Sequence, residues 1–189
     1  IEPFFFSQSK TKDATKNYAK ILEFFVICGA LILLIVVVFV DVLKLILIPN
    51  EAYWEAMWIV PIILLANFCL GIYHNLSVWY KITDRTKFGA YISVFGALLT
   101  LGLNFWLIPI ISYKGSAIAT LTAYASMMLL SYYFGRKYYP IPYNLKKIGL
   151  YLITSIGLSL VSFYHFRENY TVGILMLVVF LTIVYFSER

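Results

Sequence analysis

Charge is the scarcest ingredient of this chain. Asp, Glu, Lys and Arg together make up 13% of it, whereas a water-soluble domain carries about a quarter. Cysteine and histidine are nearly missing, with two of each among 189 residues. Cys28 and Cys69 both fall inside apolar runs, without CxxC spacing or a neighbouring ligand set. No metal site or exported disulfide framework is indicated, and both thiols read as small buried hydrophobes. Long polar stretches are also lacking. The longest, Gln8–Lys20 and Arg136–Lys147, are too short for a nucleotide-binding domain, and no Walker-type loop or dinucleotide fingerprint occurs. An intrinsic ATPase is therefore not expected. The fifteen Lys and Arg exceed the nine acids and leave a net charge of +6, but they scatter over short connections. Nothing groups them into a groove for nucleic acid.

What fills the chain is apolar: the hydrophobic set is 62% and the mean hydropathy is +0.84. A helix crosses the hydrocarbon in about 20 residues and satisfies its own backbone polar groups. Six blocks meet that requirement: Ile21 to Val40, Ala56–Tyr80, Phe88–Ile111, Gly115–Phe134, Ile148–Phe166 and Val172–Phe186. The expectation is an all-α, polytopic transmembrane helical bundle. Asp41 and Lys44 follow the first block three residues apart, and a charge at a bilayer centre costs at least a few kcal/mol. The stretch Asp41–Ile48 is expected in the interface, with Asp41 and Lys44 facing water, and Pro49-Asn50 ends it.

The basic residues set an orientation. Twelve fall on one set of alternate connections and three, Lys44, Lys114 and Arg167, on the other. The positive-inside rule puts both ends of the chain in the cytoplasm. Trp54, Trp58 and Trp79 lie near block boundaries, where interfacial aromatic anchors belong.

Polar groups inside the blocks are few and uncharged where the crossings are best defined. Asn67, His74 and Asn75 share one broad face of the second block. Asn67 is near mid-membrane, so its amide must meet either another helix or a wet cavity. Pro61, near the outer end of that block, makes either a gating bend or an inert one. His74 has no neighbouring acid to orient it, so no catalytic residues are assigned, and no cofactor or metal. In the third block Gly89, Ser93, Gly96 and Thr100 recur at helical spacing, as do Gly115, Ala119 and Ala123 in the fourth. Small residues let helices approach closely in lipid. The stretch from Pro109 to Gly115 reads as a short outer turn, and Asn104 stands one turn before it as a tie for the hairpin.

The run Leu98–Thr120 resembles the hairpin signature of polysaccharide flippases in the multidrug/oligosaccharidyl-lipid/polysaccharide exporter superfamily. The matching residues are Asn104, Ile108, Pro109, Gly115, Ala117, Ile118, Ala119 and Thr120. Pro3–Ser7, Glu51–Pro61, Lys81–Lys87 and Tyr138–Tyr143 resemble further pieces of the pattern, so the likeness spans residues 3–147. It implies a two-lobed, alternating-access transporter of undecaprenyl-linked oligosaccharide in a bacterial inner membrane, serving surface polysaccharide or lipopolysaccharide biosynthesis. This chain would be the C-terminal lobe, with residues 1–20 a helix end plus basic loop and 21–189 the six-helix lobe. Its partners would be lipid-linked oligosaccharide, membrane lipids and an N-terminal lobe that the chain lacks.

Three alternatives stay open. A drug or cation antiporter of the same superfamily would use a titrating carboxylate. A sugar polymerase or transferase would need a large outer loop with catalytic charges. A purely structural subunit leaves the signature unexplained.

Overall fold

The computed structural model describes residues 14–167 and 169–189. The helix end assigned to Pro3–Ser7 lies outside them. Every regular element among the described residues is helical. In chain order they are α1 (Ala14–Val38), α2 (Val40–Leu47), a 3-10 helix (Glu51–Ile59), α3 (Val60–Leu76), α4 (Val78–Ile82), α5 (Lys87–Ile111), α6 (Tyr113–Tyr138), α7 (Leu145–His165) and α8 (Tyr170–Glu188). Six segments are long and apolar enough to cross a membrane: α1, the continuous stretch Glu51–Ile82, and α5 to α8. The protein is a multi-pass, all-α membrane bundle.

The observed ends correct several expectations. α1 is already helical at Ala14, upstream of Ile21, so Ala14–Lys20 is helix rather than loop. The outer turn expected over Pro109–Gly115 shrinks to Ser112 alone, because α5 runs through Pro109 to Ile111 and α6 begins at Tyr113. Ser112 makes so tight a reversal by adopting a φ of 55°, a left-handed conformation uncommon for residues other than glycine. Pro61 is the second residue of α3, which continues without a break from the 3-10 helix Glu51–Ile59.

The chain divides into two compact units, one of Ile1–Phe24 with Leu65–Asn144 and the other of Phe25–Leu64 with Leu145–Arg189. In the first unit α5 and α6 are the principal packing pair. Bulky side chains fill the space that glycines leave open. Tyr80 packs on Gly89, Met127 on Gly96 and Trp79 on Gly135, each close enough that a Cβ would collide. Trp79 is not the interfacial anchor expected from its position. It is 1% exposed, meets Tyr80, Phe88 and Tyr138 ring to ring, and donates its Nε1–H to the Ser131 carbonyl at 3.1 Å. Gly135 opposite it supplies the pocket that makes this burial possible.

In the second unit Val37, Val40, Met57 and Phe163 form a core, while Gly173 admits Val38 and Phe39 stacks on Tyr170. Ser155 on α7 donates its hydroxyl to the Ala30 carbonyl on α1 at 2.9 Å, and both partners are buried. Ser155→Ala should lower stability by about 1 kcal/mol, the net worth of one such bond. Thr154→Ala is the control, since Thr154 bonds back only to the Leu150 and Tyr151 carbonyls of its own helix. Thermal denaturation in detergent that leaves Ser155→Ala unchanged would show the hydroxyl to be dispensable.

Candidate functional site

The first-unit part of α3 sorts its residues by face. Ala66, Cys69, Tyr73 and Leu76 are buried, at the spacing of one helical stripe, and Phe68 and Ile72 widen it. Asn67 and His74 lie two turns apart on the opposite side and are exposed, with Gly71 between them. Asn67 stands at the middle of the candidate span Glu51–Ile82. An exposed side chain at the middle of a crossing presents polar surface that hydrocarbon solvates poorly.

The three sequence-derived residues are therefore not equivalent. Asn67 and His74 present polar edges outward, and the His74 ring sits beside Tyr73 at 5.4 Å. Asn75 is half-buried and donates its Nδ2–H to the Gly71 carbonyl at 3.0 Å, so part of its amide is committed to its own helix. Amide and imidazole edges offer donors and acceptors to a polar, uncharged partner. Among the described residues no group of three His, Cys, Asp or Glu could hold a metal ion.

Part of the hairpin is closely packed. Gly115, Ala119 and Ala123 are buried along one face of α6, and a Cβ on Gly115 would come within 2.7 Å of the Leu107 backbone. Gly89 and Gly96 are buried on α5, but Ser93 is exposed and leaves their stripe. Asn104 and Pro109 line a groove of about 270 Å³ with Leu101, Phe105 and Ile108. The Asn104 side-chain oxygen is buried and meets no donor among the described residues, so it makes no tie across the hairpin. Pro109 adds a second acceptor, because it has no N–H for the Phe105 carbonyl one turn back.

Two charged features stand out besides. Glu23 is a half-buried carboxylate within the α1 crossing. It could have been found by asking which acids interrupt an apolar block, but setting the block to start near Ile21 left it at the edge. Asp41 and Lys44 do not simply face water. Asp41 accepts from Lys44 Nζ at 2.6 Å and, on its two oxygens, from Arg167 Nε and Nη2 at 2.7 and 3.0 Å. Burial pushes the Asp41 pKa up, but the hydrogen bonds and charges of Arg167 and Lys44 outweigh it and hold the carboxyl below its ordinary range. Arg167 lies 126 residues away in sequence, and spacing carries no signal at that range.

A protein-family model described as MatE matches residues 4–106, more than half of the chain. No match was found among curated proteins or solved structures.

Proposed function

The chain belongs to the MatE family, and from that premise we propose that the exposed polar face of α3 lines the cargo path of an alternating-access exporter. Transport by a multi-pass membrane protein follows from the family. The path assignment rests on one observation: Asn67 and His74 are exposed on a crossing, Asn67 at its midpoint. In this reading the chain is one lobe of a two-lobed transporter, both its ends are cytoplasmic, and the α3 face meets the other lobe across the path. No bond in the cargo is made or broken. Asn67 and His74 exchange hydrogen bonds with the cargo, and Asn75 steadies the backbone beside them.

Two cargo classes remain, each with its own support. The family match favours a drug or cation antiporter, and Glu23 is a carboxylate within a crossing of the kind such coupling titrates. The hairpin run and the uncharged character of the α3 face favour a lipid-linked oligosaccharide, whose hydroxyls suit amides. Reconstitution of the complete transporter separates them. Cation-gradient-driven efflux of a cationic dye that disappears in Glu23→Gln supports the antiporter; leaflet transfer of the lipid-linked sugar without a gradient supports the flippase. In either assay Asn67→Ala should change the translocation rate several-fold at equal protein level and melting temperature. An equal rate would remove Asn67 from the path, and a rate loss that tracks lost stability would make it a packing residue.

A further inference from the structure

At one end of the first unit the α4–α5 turn meets the last turn of α6, and positive charge collects there. Hydrogen bonds fix the turn: the Arg85 backbone N–H donates to the Tyr80 carbonyl at 2.8 Å and the Thr83 hydroxyl to the Trp79 carbonyl at 2.7 Å. Asp84 between them takes a φ of 55°, which Asp tolerates better than most residues. The Arg85 guanidinium carbon then stands 4.5 Å from the centroid of the Tyr138 ring. Lys137 Nζ lies 5.7 Å from the same centroid. The ring stacks on Trp79 at 5.9 Å and meets Phe88 at 5.0 Å, so an aromatic wall backs both cations.

A ring quadrupole contributes about 0.5–1 kcal/mol to a cation at an exposed site, too little to balance two like charges. No acid does so either. Arg85, Lys137 and their sequence neighbours Lys87 and Arg136 have no ion pair among the described residues, and Asp84 makes none with them. The first turn of α5 contains no acid, and Thr86 gives it no side-chain cap. The cations sit where two crossings end, α5 at Lys87 and α6 at Tyr138, beside the aromatic rings that favour the membrane–water boundary. At the boundary where α5 and α6 end, lipid headgroup phosphates are the anions at hand.

We propose that Arg85 and Lys137, flanked by Lys87 and Arg136, form a binding site for the phosphate of an anionic lipid headgroup, with Tyr138 setting its depth. The site does not depend on the cargo of the transporter. It differs from a general basic bias because it saturates and belongs to particular residues.

Native mass spectrometry of the full chain in detergent, titrated with cardiolipin, tests this. Wild type should retain cardiolipin saturably, while phosphatidylcholine and inorganic phosphate at equal concentration should not be retained. R85Q/K137Q should bind roughly twenty- to thirtyfold more weakly, from about 1 kcal/mol per basic residue near the surface. K146Q/R189Q, which removes two charges elsewhere, should bind as wild type. Equal losses in the two double variants would overturn the site in favour of general attraction, and saturable retention of inorganic phosphate would overturn the lipid. If R85Q/K137Q fails to fold, wild type still tests the phosphate contact. Raising salt from about 0.05 to 0.5 M shortens the screening length severalfold and should weaken cardiolipin binding at least tenfold, and unchanged binding would refute a phosphate contact.

Discussion

Gly115→Ala is expected to be the most damaging single-methyl change in this chain, lowering stability by about 2–3 kcal/mol. The added carbon would come within 2.7–2.8 Å of the carbonyl carbon, the oxygen and the Cβ of Leu107. Two of those are backbone atoms of α5, which no rotamer change can move aside. The hairpin could admit the methyl only by separating α5 from α6, which are joined at Ser112 by a turn with no slack. Gly102→Ala on α5 has nothing within 4 Å of its added methyl and should be neutral or slightly stabilising, since alanine is the better helix former. Unfolding in detergent should therefore rank Gly102→Ala at or above wild type and Gly115→Ala well below it. Equal stability of the two variants would mean that the hairpin is looser than its geometry.

Asp41→Asn should be the next most costly change, at about 1–2 kcal/mol. Asp41 receives three hydrogen bonds from two cations, and its side chain is 14% exposed. Removing its charge leaves Arg167 and Lys44 facing each other without a counter-ion. Arg167 is 34% exposed and keeps some water, so the cost falls between that of a surface pair and a buried one. The pH dependence has a definite sign. The folded-state pKa of Asp41 is depressed, so its stabilisation is complete above the ordinary carboxylate pKa of about 4 and is lost as pH falls through the lower folded value. Wild type should lose melting temperature on acidification in that window by more than Asp41→Asn does. Parallel acid profiles would show that the cluster contributes nothing to stability.

The sequence made the crossings legible, and for a simple reason. In lipid the requirement on a helix is local: enough consecutive apolar residues, charges kept outside. Block positions such as Phe88–Ile111 therefore agree with α5 almost residue for residue. Packing against other helices is not local. Trp79 looked like an interfacial residue by position, and only the hole at Gly135, far along the chain, explains its burial. By sequence Asp41 faces water, because no spacing places Arg167 beside it. For the same reason the polar face of α3 was half legible. Periodicity put Asn67, His74 and Asn75 together, but it could not show that Asn75 bonds back to Gly71. The sequence implies a longer turn than Ser112 because proline usually ends a helix, and here α5 continues through Pro109.

The way the two units share the chain has a consequence for synthesis. The first unit is nearly contiguous, needing Leu65–Asn144 and the opening stretch to Phe24. Most of its partners have therefore left the ribosome before α7 begins. The second unit is split, and Phe25–Leu64 must wait for Leu145–Arg189. Until α7 arrives, Ala30 lacks its serine hydroxyl and Asp41 its arginine. An acid without its guanidinium at the membrane boundary is thus a feature of every nascent copy. A chain cut after Asn144 would lack Arg167 beside Asp41 and Phe163 against Val37 and Val40. Within this chain, α7 and the segment that follows it complete the packing of Phe25–Leu64.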